Sequence, residues 1–257
     1  MRYNLLGSLE VVHENTPMSI SARKVETLLI VLLIRVGHVV SSDQLIGEIW
    51  GGQPPRRAAA GLHVYVSDLR KFLGRREGDQ RPIVTCSPGY MLQRSEDEID
   101  FQIFLDLLDA GRKAVRTGRF EDAVTRFESA LALWRGPVLG TLGEGPIVGS
   151  FVTWLTEQRV DCLELLVESQ FHLGRHREMI GLLSSLVAEN PLHEAFYRQL
   201  MLGLYRCERK ADALRVYQSA REALREELGL EPCRSLQQLQ RAVLADDEAL
   251  SVAPLAV

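Results

Sequence analysis

At 257 residues the chain is long enough for one large domain or two ordinary ones, either able to bury a core without disulfides or metals. With 46% hydrophobic and 25% charged residues and no low-complexity tract, it reads as a soluble globular protein, which sets aside the disordered and fibrous classes. The net charge of -4 hides a split: residues 1–94 carry 12 Lys and Arg against 8 Asp and Glu, net +4, and the remainder 18 against 26, net -8. The basic part is the one suited to a polyanion.

Cys86, Cys162, Cys207 and Cys233 contain no CxxC pair, so they are expected as buried free thiols of a reducing cytoplasm, with neither a metal site nor a disulfide framework. Glu10 and Glu14 interrupt any signal-peptide pattern, and the longest apolar run, Leu28 to Ile34, is too short to span a bilayer. The expected location is cytoplasmic, with the nucleoid, and no membrane partner.

The chain opens on "YNLLGSLEVV" and "MSISA", short runs broken by Gly7, Asn15 and Pro17, which predict a small antiparallel sheet. From Arg23 to Val36 the period becomes helical, with Val25, Leu28, Leu29, Leu32 and Leu33 facing inward and Gly37 placed to end the helix. Ser41 or Ser42 can cap a second helix, "DQLIGEIW", with Leu45, Ile49 and Ile46 inward. A third helix begins near Arg56, after Pro54 and Pro55.

That third helix lies within the stretch Gln53 to Arg76, which holds six basic residues and one acid, Asp68. At 100° per residue, Leu62, Tyr65, Val66, Leu69 and Leu73 make one apolar stripe. Arg57, Ala60, Val64, Ser67 and Lys71 lie opposite, flanked by Arg56, His63 and Arg70. Next come a loop and two short strands joined at Ser87, Pro88 and Gly89, read as a type II turn with Gly89 at positive φ. A sheet, three helices and a hairpin fit a winged helix-turn-helix whose third helix enters the major groove. Cations at its ends suit phosphates, and short side chains at Ala60, Val64 and Ser67 allow approach to base edges. An amphipathic surface helix with an Arg-rich solvent face would select much the same residues. Arg75, Arg76, Arg81, Thr85, Ser87, Gly89 and Tyr90, in the loop and hairpin, are further DNA-contact candidates.

"LLGSLEV", "ARKVETLLIVLLIRVGHVVSSDQLIGEIWGGQPP", "LHVYVSDLRKFLG" and "IVTCSPGYML", in this order, resemble the DNA-binding half of the Streptomyces antibiotic regulatory proteins, which carry an OmpR-type winged helix. From Ile99 onward the sequence is helical. "GRFEDAV" at Gly118, "GRHREMI" at Gly174 and "ERKADAL" at Glu208 each break one helix and start another, and the last two are one tetratricopeptide period apart. The longer first interval contains "WRGPVLGTLGEGPIVGS", read as an inserted loop. "ENPLHEAFYRQLMLGLYRCERKADALRVYQSAREALREELGLEP" is the clearest repeat, with Ala195, Leu200, Leu204, Ala213 and Tyr217 as packing positions. This part resembles the bacterial transcriptional activator domain of the same family.

The expected architecture is therefore mainly α with small β: a winged helix-turn-helix over residues 1–94, an all-α tetratricopeptide-like domain over 95–245, and a flexible tail over 246–257. The resemblance spans Tyr3 to Leu244 and implies the small two-domain form. With no receiver domain ahead of the winged helix, control is expected to lie in expression level or in the second domain. The resemblance further implies an activator of antibiotic gene clusters, aromatic polyketide pathways among them. Such an activator binds direct repeats at promoters as a homodimer and recruits RNA polymerase holoenzyme through the sigma factor region. Trp50, Gly51, Gly52, Gln53, Pro54 and Pro55 correspond to the loop that touches polymerase in OmpR-type proteins. A helical-repeat adaptor without specific DNA binding, and a DNA-binding repressor, are the alternatives.

No enzyme chemistry assembles. "GEGPIVG" lacks the strand before it and the Lys-Ser/Thr after it that a phosphate loop needs, and reads as a flexible insertion. His172 and His176 are separated by Gly174 and lack the glutamate of a metalloprotease pair, so they read as helix-end residues. No cofactor, metal or catalytic residue is expected.

Overall fold

The computed structural model describes residues 1–20, 22–74, 81–140, 145–247 and 249–252. Strands β1 (Arg2–Asn4), β2 (Glu10–His13) and β3 (Thr16–Met18) form the expected antiparallel meander. Its fourth strand, β7 (Glu98–Ile99), was not expected and pairs parallel to β1 in the order β3-β2-β1-β7. A second sheet, β4-β6-β5, joins Val40–Ser41 to the hairpin of β5 (Ile83–Cys86) and β6 (Gly89–Leu92).

In sequence α1 (Arg23–Ile34) runs between β3 and the strand Val40–Ser41, and α2 (Ser42–Trp50) and α3 (Ala58–Leu73) run between that strand and β5. An inward stripe was expected for α1, yet every residue from Leu28 to Leu33 is fully buried. A helix apolar on all sides is one packed on all sides. Ser41 caps α2, its hydroxyl accepting from the Gln44 N–H while the Gln44 side chain accepts from the Ser41 N–H.

The chain then continues as α4 (Asp100–Arg116), α5 (Phe120–Leu131), α6 (Pro146–His172), α7 (His176–Glu189), α8 (Glu194–Arg206), α9 (Lys210–Leu228), α10 (Arg234–Leu244) and the short α11 (Ala249–Val252). It packs as two compact units interleaved in sequence: Met1–Asp106 with Ala132–Arg159, and Leu107–Leu131 with Val160–Val257. Arg94, the expected boundary, thus lies inside the first unit.

The segment expected as an inserted loop largely belongs to the core of that first unit. The Arg135 and Leu139 N–H groups donate to the carbonyls of Leu6 and Leu5 (2.7 and 3.1 Å), and Val138 and Leu139 are buried. The Asp100 carboxylate accepts from the N–H groups of Leu5 and Leu6 at 2.7 to 2.9 Å. Burial raises the Asp100 pKa, opposed by these backbone donors and by Arg135. The described part of "GEGPIVG", from Gly145 on, is no free insertion either. Pro146 opens α6, and the buried Glu48 of α2 accepts from the Ile147 and Val148 N–H groups (2.5 and 3.4 Å), capping α6 from far away in sequence. Residues 141–144 lie outside the described ones.

In the second unit the three expected helix breaks share one geometry. Gly118, Gly174 and Glu208 have φ of 69°, 77° and 61°, and the following Arg119, Arg175 and Arg209 N–H groups donate to Ala114, Gln170 and Leu204. This is the left-handed helix stop in which the N–H after the stop residue bonds to the carbonyl five residues back. Phe196, Met201, Leu204, Ala213, Ala220, Leu236 and Val243 fill the core. Leu200, Ala213 and Tyr217 are buried as expected, whereas Ala195 is half-buried beside Phe196. His172 and His176 do sit at helix ends, stacked on Phe120 and Phe171.

Two expectations need correction. Only Cys162 is a buried thiol, since Cys86 and Cys207 are half-buried and Cys233 is exposed at the start of α10. The stretch from Asp246 is also attached at first: Asp246 pairs with Lys210 at 2.7 Å, and Arg206 donates to the Leu250 carbonyl at 2.8 Å.

Candidate nucleic-acid interface

Helix α3 starts at Ala58, two residues later than expected, and buries Ala58, Leu62, Val66, Leu69 and Leu73. Tyr65 sits at the edge of that stripe and stacks on Trp50 at 5.6 Å. Trp50 in turn lies under the Lys24 ammonium (5.0 Å) and close against Gly61, where a Cβ would stand 3.3 Å from the indole. Trp50 is therefore a packing residue that fixes α2 to α3. Gly51, Gly52, Gln53, Pro54 and Pro55 are exposed in the connection after it.

With the apolar stripe inward, Ala60, His63, Val64, Ser67 and Lys71 are exposed, and Val64 keeps 56% of its surface in water. Val64 is one of the large hydrophobic side chains that the fold leaves exposed. Ala59 belongs to the same face and was missed, although it lies four residues before His63 on the wheel. Arg56 and Arg57 stand exposed at the helix entrance with no ion pair among the described residues. Lys71 is 78% exposed and only loosely approached by Asp68, at 3.7 Å. The face is small-sided in its first turns and cationic at both ends.

Arg70 does something else. Its guanidinium donates to the Ile83 carbonyl and to Thr85 Oγ1, both at 3.0 Å, and lies 5.9 Å from the Tyr90 ring centroid. Tyr90 is buried and shares a 2.6 Å hydrogen bond with His63 Nδ1. Arg70, Tyr90, Thr85 and His63 thus knit α3 to the hairpin and set the spacing between the two elements.

The hairpin turn differs from the expected type. The Ser87–Pro88 peptide is cis, and Gly89 is not among the glycines at positive φ. Gly89 is needed for space: a Cβ there would lie 1.9 Å from the Val40 carbonyl oxygen, where β6 crosses β4. The Ser42 N–H and hydroxyl both donate to the Pro88 carbonyl (3.1 and 3.2 Å), tying the hairpin tip to the start of α2. Ser87 and Thr85 are exposed, Arg81 is exposed ahead of β5, and Gly89 and Tyr90 are buried. Arg75 and Arg76 lie outside the described residues. Among the described residues no cluster of His, Cys, Asp and Glu is placed to hold a metal ion, and no helix is long and apolar enough to cross a membrane.

A winged helix presenting a cationic, small-sided third helix, followed in the chain by tetratricopeptide-like helix pairs, is the architecture of a DNA-binding transcriptional regulator. Residues 16–92 match the family model described as transcriptional regulatory protein, C terminal, and residues 99–244 match the bacterial transcriptional activator domain. Regulatory protein DnrI of Streptomyces peucetius is 34% identical over 256 residues, 97% of this chain and 94% of the relative. Transcriptional regulator RedD of Streptomyces coelicolor is 35% identical over 252 residues, 97% of this chain and 72% of the relative. The solved structure of Mycobacterium tuberculosis EmbR in complex with a low affinity phosphopeptide matches with a TM-score of 0.90 at 32% identity, covering 97% of this chain and 68% of that one. The chain belongs to the Streptomyces antibiotic regulatory protein family.

Proposed function

We propose that this protein is a sequence-specific DNA-binding activator of an antibiotic gene cluster, one for an aromatic polyketide being the first to test. It binds direct repeats at promoters as a homodimer and recruits RNA polymerase holoenzyme. The observation that carries the reading is the exposed face of α3, where Val64 and Ser67 stand between cations at Arg56, Arg57 and Lys71. The cations neutralise phosphates, and the short side chains meet base edges. One winged helix spans too little groove for high specificity, so two copies bind repeats about one helical turn apart, roughly 10 to 11 base pairs. The exposed connection Gly51 to Pro55, held at one end by the packed Trp50, is the surface offered to the sigma factor region.

Selection of preferred sequences from a random duplex pool tests this directly. Wild-type protein selects a direct repeat, and Val64 or Ser67 variants select an altered one, with discrimination shifted by about 1 to 3 kcal/mol at one position. Folded variants at both positions that retain the wild-type preference would sink the assignment of α3 as the reading helix.

A further inference from the structure

Among the described residues, nothing covers two surfaces of the second unit, and the two are complementary. Between α7 and α9 lies a groove made of two adjoining depressions, of about 450 and 500 Å³, which share Ile180 and Arg209. Ile180, Leu200, Leu204 and Val216 give it an apolar floor. Arg177, Arg209 and Arg215 line it, beside an Arg206 already engaged by the Leu250 carbonyl and His176, against the acids Asp212 and Glu208. Asp212 is already shared between Arg209 and Arg215, and Arg177 is exposed with no ion pair among the described residues. An apolar trough with surplus guanidinium charge fits an apolar segment that carries carboxylates.

The same unit presents such a segment. At the turn ending α9, Leu228 and Leu230 are 52% and 57% exposed on either side of the left-handed Gly229. Glu226 and Glu227 stand exposed beside them, without an ion pair among the described residues. The turn is already held in shape: Arg221 grips Glu231 through two hydrogen bonds (2.7 and 3.0 Å), and the Leu230 N–H donates to the Leu224 carbonyl. A preformed knob docks with little ordering cost.

We propose that the acidic leucine turn of one copy seats in the α7–α9 groove of the next, so that copies associate head to tail. Such a contact is heterologous and propagates in one direction, the relation that directly repeated DNA sites impose on the proteins bound to them. The proposal rests on the promoter-binding reading for its biological setting, but the association is measurable without DNA.

Sedimentation of the full chain tests it with two variants altered only at exposed positions. The groove variant carries Arg177→Glu and Arg215→Glu, and the knob variant carries Leu228→Asp and Leu230→Asp. Wild type associates with rising concentration, and each variant alone associates about tenfold more weakly or worse. An equimolar mixture forms dimers and stops there, because one native knob and one native groove remain per pair. Circular dichroism melts matching wild type establish folding. A wild type that stays monomeric and binds two repeats no more cooperatively than one overturns the proposal. So do variants that still associate, or a mixture that does not. A groove variant that associates normally yet fails to activate transcription assigns the groove to another protein and overturns self-docking. Affinity for a single half-site, unchanged in both variants, reports separately on the DNA-binding reading: its absence in wild type defeats that reading and leaves the association result standing.

Discussion

Arg70 donates to the Ile83 carbonyl and to Thr85, whereas Lys71, one residue on, keeps most of its side chain in solvent. Arg70→Ala is expected to lower stability by about 1 to 2 kcal/mol in urea unfolding and to weaken all DNA alike, because it frees the hairpin from α3. Lys71→Ala should leave the urea midpoint in place and lower the salt slope of DNA binding by about one. The sequence wheel could not part these two: it placed Arg70 on the flank, but the bond to β5 depends on where a distant strand passes. Cys162 is buried as expected, but that it alone of the four cysteines is buried is legible only in structure. Burial pushes its thiol up to about 12, with Asp161 adding to the rise. A raised folded-state pKa gives a stability contribution fully present below the ordinary value near 9 and lost as pH climbs from there towards 12. The alkaline loss of stability should therefore be smaller in Cys162→Ala than in wild type, measured by urea unfolding across that range. Native protein should react with thiol reagents first at Cys233 and at Cys162 only on unfolding.

At the scale of elements, periodicity carried most of the reading. The apolar stripe of α3 and the three repeat breaks follow from local pattern, since a helix face and a left-handed stop are properties of neighbouring residues. The break at Glu208 uses a residue that dislikes its own backbone, because φ of 61° crowds its Cβ against the carbonyl. Glu208→Gly should raise stability by up to about 1 kcal/mol, and Gly174→Ala, at φ of 77° with open space around the added methyl, should cost about the same. Thermal melts of the two variants moving in the same direction would contradict a purely backbone origin. Gly89 was misread because a proline and a glycine in succession describe a turn locally, while its real constraint is the Val40 carbonyl on another strand.

For the whole molecule, the least legible feature was which pieces of chain belong together. Nothing in "WRGPVLG" announces that Arg135 and Leu139 will pair with the backbone of Leu6 and Leu5, or in "GEIW" that Glu48 will cap α6. Such contacts lie between segments a hundred or more residues apart in the chain, beyond any periodic signal. A fragment of residues 1–94 lacks Asp100, β7 and the start of α6, so it leaves β1 as an open edge and strips the partners of Leu5 and Leu6. It should show no cooperative melt at temperatures where the full chain is folded, and its backbone amides at Leu5 and Leu6 should exchange freely. A fragment that melts like the full protein would contradict this account. The interleaving also limits how such a regulator can change its targets. Recombination that trades only the first ninety-odd codons with a relative would deliver a winged helix deprived of its own Asp100 and facing a foreign helix at Glu48, where even a Cβ on Gly145 would collide. Exposed positions on α3 bear no such debt to the rest of the chain, so under the proposed reading of DNA by α3 new promoters would be reached more readily by point substitution at Val64 and Ser67 than by shuffling whole domains.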